Sequence, residues 1–227
     1  MKGFHMSFTV YMVRHGQTFF NSLQRMQGWC DSPLTDKGIN DATHSGKLLR
    51  DKSFNAIYRS DTMRTKKTLS HILSETNVEG NKQLTPIETA LFREEYYGSF
   101  EGQDTAAVMQ TVGTPFNCQT FNDILEKYSI EDSRDFIKSA DPFNLAENDQ
   151  EFWNRYDHAF DFLRTNQNNN DNVLLVGHGT AIRSIVSRYA PDIDISSSPK
   201  NGSVTKLIVH PDTIEVSYYG NFGEQPI

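Results

Sequence analysis

The chain has 227 residues and a formal net charge of −7. That length suffices for a full α/β core, while the acidic balance argues against nucleic-acid or membrane-surface binding, which usually shows as basic patches. Cys30 and Cys118 have neither metal-ligand spacing nor a disulfide framework; they fit a reducing, cytoplasmic setting, with one bridge between them left open.

The opening stretch, Met1 to Ser7, holds one Lys and no sustained apolar run, so no signal peptide is read, and no later run reaches membrane-spanning length. Phe8 to Val13 is short, apolar and β-branched, as a buried strand should be, and it stops at Arg14-His15-Gly16. A Gly-, Pro- and Asp-containing loop follows to Leu34, then Thr35 as the N-cap of an amphipathic helix to about Arg50 with Ile39, Ala42, Gly46 and Leu49 on one face. Asn55 to Tyr58 is a second strand, ending at Ser60 or Asp61 as the cap of a helix that carries Arg64 and Thr65 in its first turn. Leu84 to Leu91 is a third strand candidate, weakened by Pro86.

Residues 103–150 differ in character, being polar with intermittent aromatics and short helical patterns at Ala106–Val112 and Phe121–Tyr128. They read as an insertion over one end of the sheet, within a single domain spanning 1–227. A longer helix starts near Asp149. Val173 to Val176 is apolar throughout, as in a parallel strand buried on both faces, and stops at Gly177-His178-Gly179 before another amphipathic helix. Val204–Val209 and Ile214–Tyr218 alternate like a hairpin about His210-Pro211-Asp212. The expected fold is a three-layer α/β sandwich: a mostly parallel sheet, helices on both faces, and a helical insertion over the active-site edge.

Four apolar or β-type runs end in Arg14-His15, Ser60 with Arg64, Glu94, and His178. Carboxyl ends of parallel strands share one edge, so these distant residues can converge on one cleft. Two arginines, two histidines and a carboxylate suit phosphoryl transfer: cations neutralise oxygens, one histidine attacks phosphorus, and the carboxylate handles the leaving-group proton.

These residues carry a resemblance. Arg14-His15-Gly16-Gln17-Thr18 with Asn21, Asp31 with Pro33-Leu34-Thr35 and Gly38, Ser60-Asp61 with Arg64-Thr65, Glu94 with Gly98 and Glu101-Gly102, and Gly177-His178-Gly179 follow in the order of the histidine phosphatase superfamily, the phosphoglycerate-mutase-like proteins. The resemblance covers the chain outside the insertion. It implies His15 as the nucleophile, Arg14, Arg64 and His178 on the phosphoryl oxygens with help from Asn21 and the Gly179 N–H, and Glu94 as the acid and later the base. It implies a small phosphate ester as substrate. No cofactor is expected, no metal is expected because no close His/Asp/Glu cluster accompanies the two histidines, and the acidic balance speaks against nucleic-acid and membrane partners.

The leading expectation is a phosphomonoesterase; a phosphoglycerate mutase is second, and a non-catalytic phosphate-binding module third. The mutases resemble one another in a Glu-Arg-His-Tyr-Gly stretch, where this chain has Glu94-Glu95-Tyr96-Tyr97-Gly98, so Glu95 is expected to add a negative charge beside the acid where they place an arginine. The insertion holds only Lys127, Arg134 and Lys138 against a larger number of carboxylates. An acidic lid should repel a second anionic group and leave water as the acceptor. Arg183 is expected in a structural ion pair, and His5, His44, His71, His158 and His210 in ordinary surface or packing roles; Phe116, Phe121, Tyr128, Phe136 and Phe143 are expected in a core.

Overall fold

The computed structural model describes residues 6–227, which leaves His5 and most of the opening stretch outside it. Six strands, β1 (Phe8–Arg14), β2 (Ala56–Ser60), β3 (Ile87–Thr89), β4 (Asn172–Gly177), β5 (Val204–Val209) and β6 (Ile214–Asn221), form one sheet in the order β3-β2-β4-β1-β5-β6. The β1–β4, β2–β4 and β2–β3 pairs are parallel; β5 and β6 add an antiparallel edge. The helices are α1 (Phe19–Ser22), α2 (Asp36–Leu49), α3 (Met63–Ser74), α4 (Glu79–Gln83), α5 (Thr105–Gly113), α6 (Phe121–Lys127), α7 (Ile130–Ala140), α8 (Asp149–Asn166) and α9 (Gly179–Tyr189). The mixed sheet with helices on both sides is the expected α/β architecture.

The two faces follow from the period-two alternation of side chains along a strand. Val10, Met12, Val173 and Leu175 turn to one face, against Phe152, Tyr156 and Phe160 of α8 and Ile182 and Ile185 of α9. Tyr11, Val13, Leu174 and Val176 turn to the other, against Leu49 of α2 and Leu69 and Ile72 of α3. Truncating a fully buried position such as Leu175 to Ala costs about 2–5 kcal/mol. Segment 103–150 has its own smaller core, with Val108, Met109, Val112, Ile124 and Ile137 packed on Met26, Tyr97 and Phe100.

Some expectations shift. The Leu84–Leu91 strand shrinks to the three residues of β3, just after Pro86, and α4 precedes it. Neither Ser60 nor Asp61 caps α3: Thr62 holds that position without a side-chain bond, and the Asp31 carboxylate accepts from the Met63 and Arg64 N–H groups instead. Ile39 is exposed, and α2 buries Asp41 and Ser45 in its place. Phe116 and Phe136 stack, with Tyr128 edge-on, but Phe143 is 71% exposed. Helix α7 matches none of the anticipated patterns. Cys30 and Cys118 are both free thiols. No helix among the described residues is long and apolar enough to cross a membrane.

Candidate active site

Strand register builds the site. Pairing of Arg14 with Gly177 places His15 and His178 side by side just past two neighbouring strand ends; their rings meet edge-on, with centroids 5.3 Å apart. Arg59 pairs with Val176, so β2 ends beside them and α3 starts there, carrying Arg64.

Each histidine has its tautomer set by one contact. His15 Nδ1 lies 2.8 Å from the Gly16 carbonyl, so Nδ1 carries the proton and Nε2 keeps its lone pair. The Arg64 Nη2 group lies 3.1 Å from His178 Nδ1, and since a guanidinium only donates, His178 carries its proton on Nε2. Burial, reinforced by the Arg64 charge, holds both rings well below the usual 6.5, so both are neutral near pH 7.

Arg64 is held rigidly, donating to the carbonyls of Gly28 and Cys30 and to the Asp31 carboxylate. Arg14 donates through Nη1 to Ser198 Oγ at 3.1 Å and the Pro199 carbonyl at 2.5 Å. Gly179 lets it pass: a Cβ there would lie 2.9 Å from Arg14 Nε. Asn21 has its Oδ1 engaged by the Thr18 N–H and the Asn201 amide. Gln27 is similar, its Oε1 accepting from the Thr18 and Ser32 hydroxyls, each at 2.8 Å.

The Glu94 carboxylate sits at the N-terminus of α9. Oε2 accepts from the Thr180 N–H, and Oε1 from those of Ala181 and Glu95. Burial pushes the carboxyl above its ordinary value, while the three N–H groups pull the other way. Arg155 braces the segment from behind by donating to the carbonyls of Leu91, Arg93 and Glu94 while paired with Glu147.

Arg14, His15, Asn21, Gln27, Glu94 and Gly179 line one cavity of about 240 Å³, with Arg64 and His178 fully buried behind. All seven residues named from the sequence as a site therefore meet. An adjoining bay of about 470 Å³ shares the walls at Arg14, Asn21, Arg25, Met109 and Phe121. Four buried nitrogens along this edge have no hydrogen-bond partner: Arg14 Nε, Arg64 Nε, His178 Nε2 and Gln27 Nε2.

A protein-family model for the histidine phosphatase superfamily (branch 1) matches residues 10–221. The chain belongs to that superfamily, whose enzymes act on small phosphorylated substrates as phosphatases or mutases. The 2,3-bisphosphoglycerate-dependent phosphoglycerate mutase of Parabacteroides distasonis is 32% identical over 108 residues, which cover 46% of this chain but only 42% of that protein. A phosphoglycerate mutase structure from Bacillus anthracis superposes with a TM-score of 0.87 at 30% identity, covering 96% of this chain and 95% of that one. The alpha-ribazole phosphatase of Shigella flexneri shares the fold, with a TM-score of 0.68 at 20% identity over 94% and 96% of the two chains.

Three expectations about the surroundings need correction. No carboxylate of segment 103–150 lines the cleft; the segment contributes Thr105, Ala106, Met109, Gln119, Thr120, Phe121 and Ile137, so the wall is uncharged rather than acidic. Glu95 points away from the cleft into the protein, 1% exposed. Arg183 forms no ion pair among the described residues; it donates to the carbonyls of Ile195 and Ser196, lies over the Phe121 ring and lines the cleft. The sequence pattern does not mark Gln27 and Arg25 as lining residues, and Arg183, weighed there as a substrate contact, is assigned to a structural pair. Gln27 and Arg25 lie in an irregular loop, where no periodicity tells an inward side chain from an outward one.

Proposed function

We propose that the protein is a phosphomonoesterase that works through a phosphohistidine on His15. The observation that carries this reading is the set of four unpartnered buried nitrogens beside a neutral histidine whose Nε2 is free. Leaving a buried donor unpaired costs about 1–3 kcal/mol, so four at one edge mark a place organised to bind an anion.

In this mechanism His15 Nε2 attacks phosphorus, and the bond from phosphorus to the ester oxygen breaks. Arg14, Arg64 and the His178 Nε2–H, with the amide of Asn21 and the N–H of Gly179, hold the three non-bridging oxygens as charge spreads over them. Glu94, protonated, gives its proton to the departing oxygen; as carboxylate it takes one from water, which attacks the phosphohistidine and releases phosphate. Burial favours the protonated state and the three N–H donors the ionised one, so both halves of the cycle are supported.

Water as acceptor is supported by what surrounds the phosphoryl pocket. A mutase must hold a second anionic group of its bisphosphate intermediate. The three cations of segment 103–150 are engaged elsewhere: Lys127 on the Asn117 carbonyl, Arg134 in the interior and Lys138 on Glu151. Two observations favour the mutase reading: Arg25 lines both compartments and spends a single donor on the Gly102 carbonyl, and Arg183 lines the cleft without an ion pair among the described residues.

A panel of phosphate esters, with 3-phosphoglycerate plus catalytic 2,3-bisphosphoglycerate as one arm, tests the choice. Release of free phosphate is expected, along with an acid-labile, base-stable phosphoryl adduct that His15→Ala abolishes. Rapid conversion to 2-phosphoglycerate with negligible phosphate from any ester would establish the mutase.

A further inference from the structure

Helix α7 buries a single charged side chain. Arg134 is fully buried, and its guanidinium reaches out to the helices behind the cleft. Nε and Nη2 donate to Asp149 Oδ1, at the start of α8, at 2.9 and 2.6 Å, and the group lies over the Phe152 ring. Nη1 donates to Ser184 Oγ on α9 at 2.7 Å.

The path continues from Ser184 to the acid. The Ser184 hydroxyl donates to the Thr180 carbonyl at 2.9 Å. Thr180 supplies the N–H that holds Glu94 Oε2 at 2.8 Å, and its own hydroxyl pairs with the Tyr97 hydroxyl. A second path is shorter. Glu95 Oε2 lies 4.0 Å from Arg134 Nη1, and the Glu95 N–H holds Glu94 Oε1. One of the three N–H groups that clasp Glu94 therefore belongs to a residue tied to Arg134 through one serine, and a second belongs to Glu95, whose carboxyl lies beside Arg134.

We propose that Arg134 is a positioning residue for Glu94, fixing the first turn of α9 that supplies the clasp on the carboxyl. This rests on the reading of Glu94 as the proton donor. The physical reason is directional: a planar guanidinium in a dry interior fixes both of its partners in angle as well as distance. A carboxyl misplaced by about 1 Å loses about 100-fold in rate. An arginine that merely cemented three helices together would instead act on every substrate alike.

Leaving-group dependence separates the two roles. A proton donor matters for an alkyl phosphate and much less for an aryl phosphate such as p-nitrophenyl phosphate, whose leaving group departs unaided. The variants are Arg134→Met, Arg134→Lys and Ser184→Ala, the last breaking the link while leaving the Asp149 contacts in place. Each is checked for folding by its melting temperature, and Glu94→Gln is the reference.

Ser184→Ala and any folded Arg134 variant should lower kcat/KM for the alkyl ester at least about tenfold more than for the aryl ester, part of the about 100-fold or more that a general acid supplies. Added to Glu94→Gln, they should change the ratio no further. Equal losses on both esters from Ser184→Ala, with Glu94→Gln selective, would overturn the proposal and leave the role of Glu94 standing. If Glu94→Gln is itself unselective, the assignment of Glu94 and the proposal fall together.

Discussion

Replacing Glu95 with Gln should remove a specific pH dependence from the stability of the protein. Burial, opposed by the charge of Arg134, pushes the Glu95 carboxyl from its ordinary 4.5 up to about 8, and Oε1 has no hydrogen-bond partner. A value raised in the fold means that the folded chain keeps a proton the unfolded chain has already lost. The stabilising contribution is therefore fully present below 4.5, lost as pH rises toward about 8, and constant above that. Each pH unit inside this window changes stability by about 1.4 kcal/mol. The loss accumulates to about 5 kcal/mol, with about 3 kcal/mol in place at pH 7. Glu95→Gln cannot ionise. The stability of the variant minus that of the parent should rise by about 3.5 kcal/mol between pH 5 and pH 8, measured by urea unfolding at pH 5, 6, 7 and 8. Groups distant from Glu95 titrate alike in both proteins and cancel in the difference. A difference constant to within about 0.5 kcal/mol across that range, or one that falls with pH, refutes the burial of an ionisable Glu95.

Three further outcomes are expected. Because His15 must be neutral to attack and is held well below 6.5, the acid limb of kcat/KM should lie well below pH 6.5; a limb at 6.5 or above contradicts the environment described for this ring. Gly38→Ala should destabilise by about 1–3 kcal/mol and cut kcat by about 100-fold, because a Cβ there falls 1.9 Å from the Gln17 carbonyl oxygen, where rigid backbone must move. Gly80→Ala, with nothing within 4 Å of its Cβ, should leave the melting temperature unchanged or slightly raised.

What could be read from the sequence, and what could not, follows from where the signal is stored. Strands β1 and β4 are buried on both faces, so their apolar runs are unmistakable, and the residues that end them had to lie on one edge. Helices α2, α8 and α9 have long apolar faces, and Thr35 and Asn148 cap α2 and α8. Edge strand β3 pairs on one side only and holds three residues, too few for alternation to register. Helix α7 escaped because charged residues fill five of its eleven positions and break up its apolar face, though a signal was present: Ser129 and Asp132 form a reciprocal capping box around its start.

The site divides along the same line. Residues at strand ends and helix starts were legible because topology converts their place in the chain into a place in space. The groups that hold them were not, since they act across the fold through bonds without a sequence period. Asp31 holds Arg64 from 33 positions away, and Arg134 reaches Ser184 across 50. The charge count of segment 103–150 misled for the same reason. A count of acids and bases assigns them all to one surface, whereas folding turned the Arg134 cation inward and gave the cleft side chains with no charge. From the sequence Arg134 counts as one of three cations available to a second phosphate; in the fold it lies behind the acid, donating to Asp149 and to Ser184 of α9.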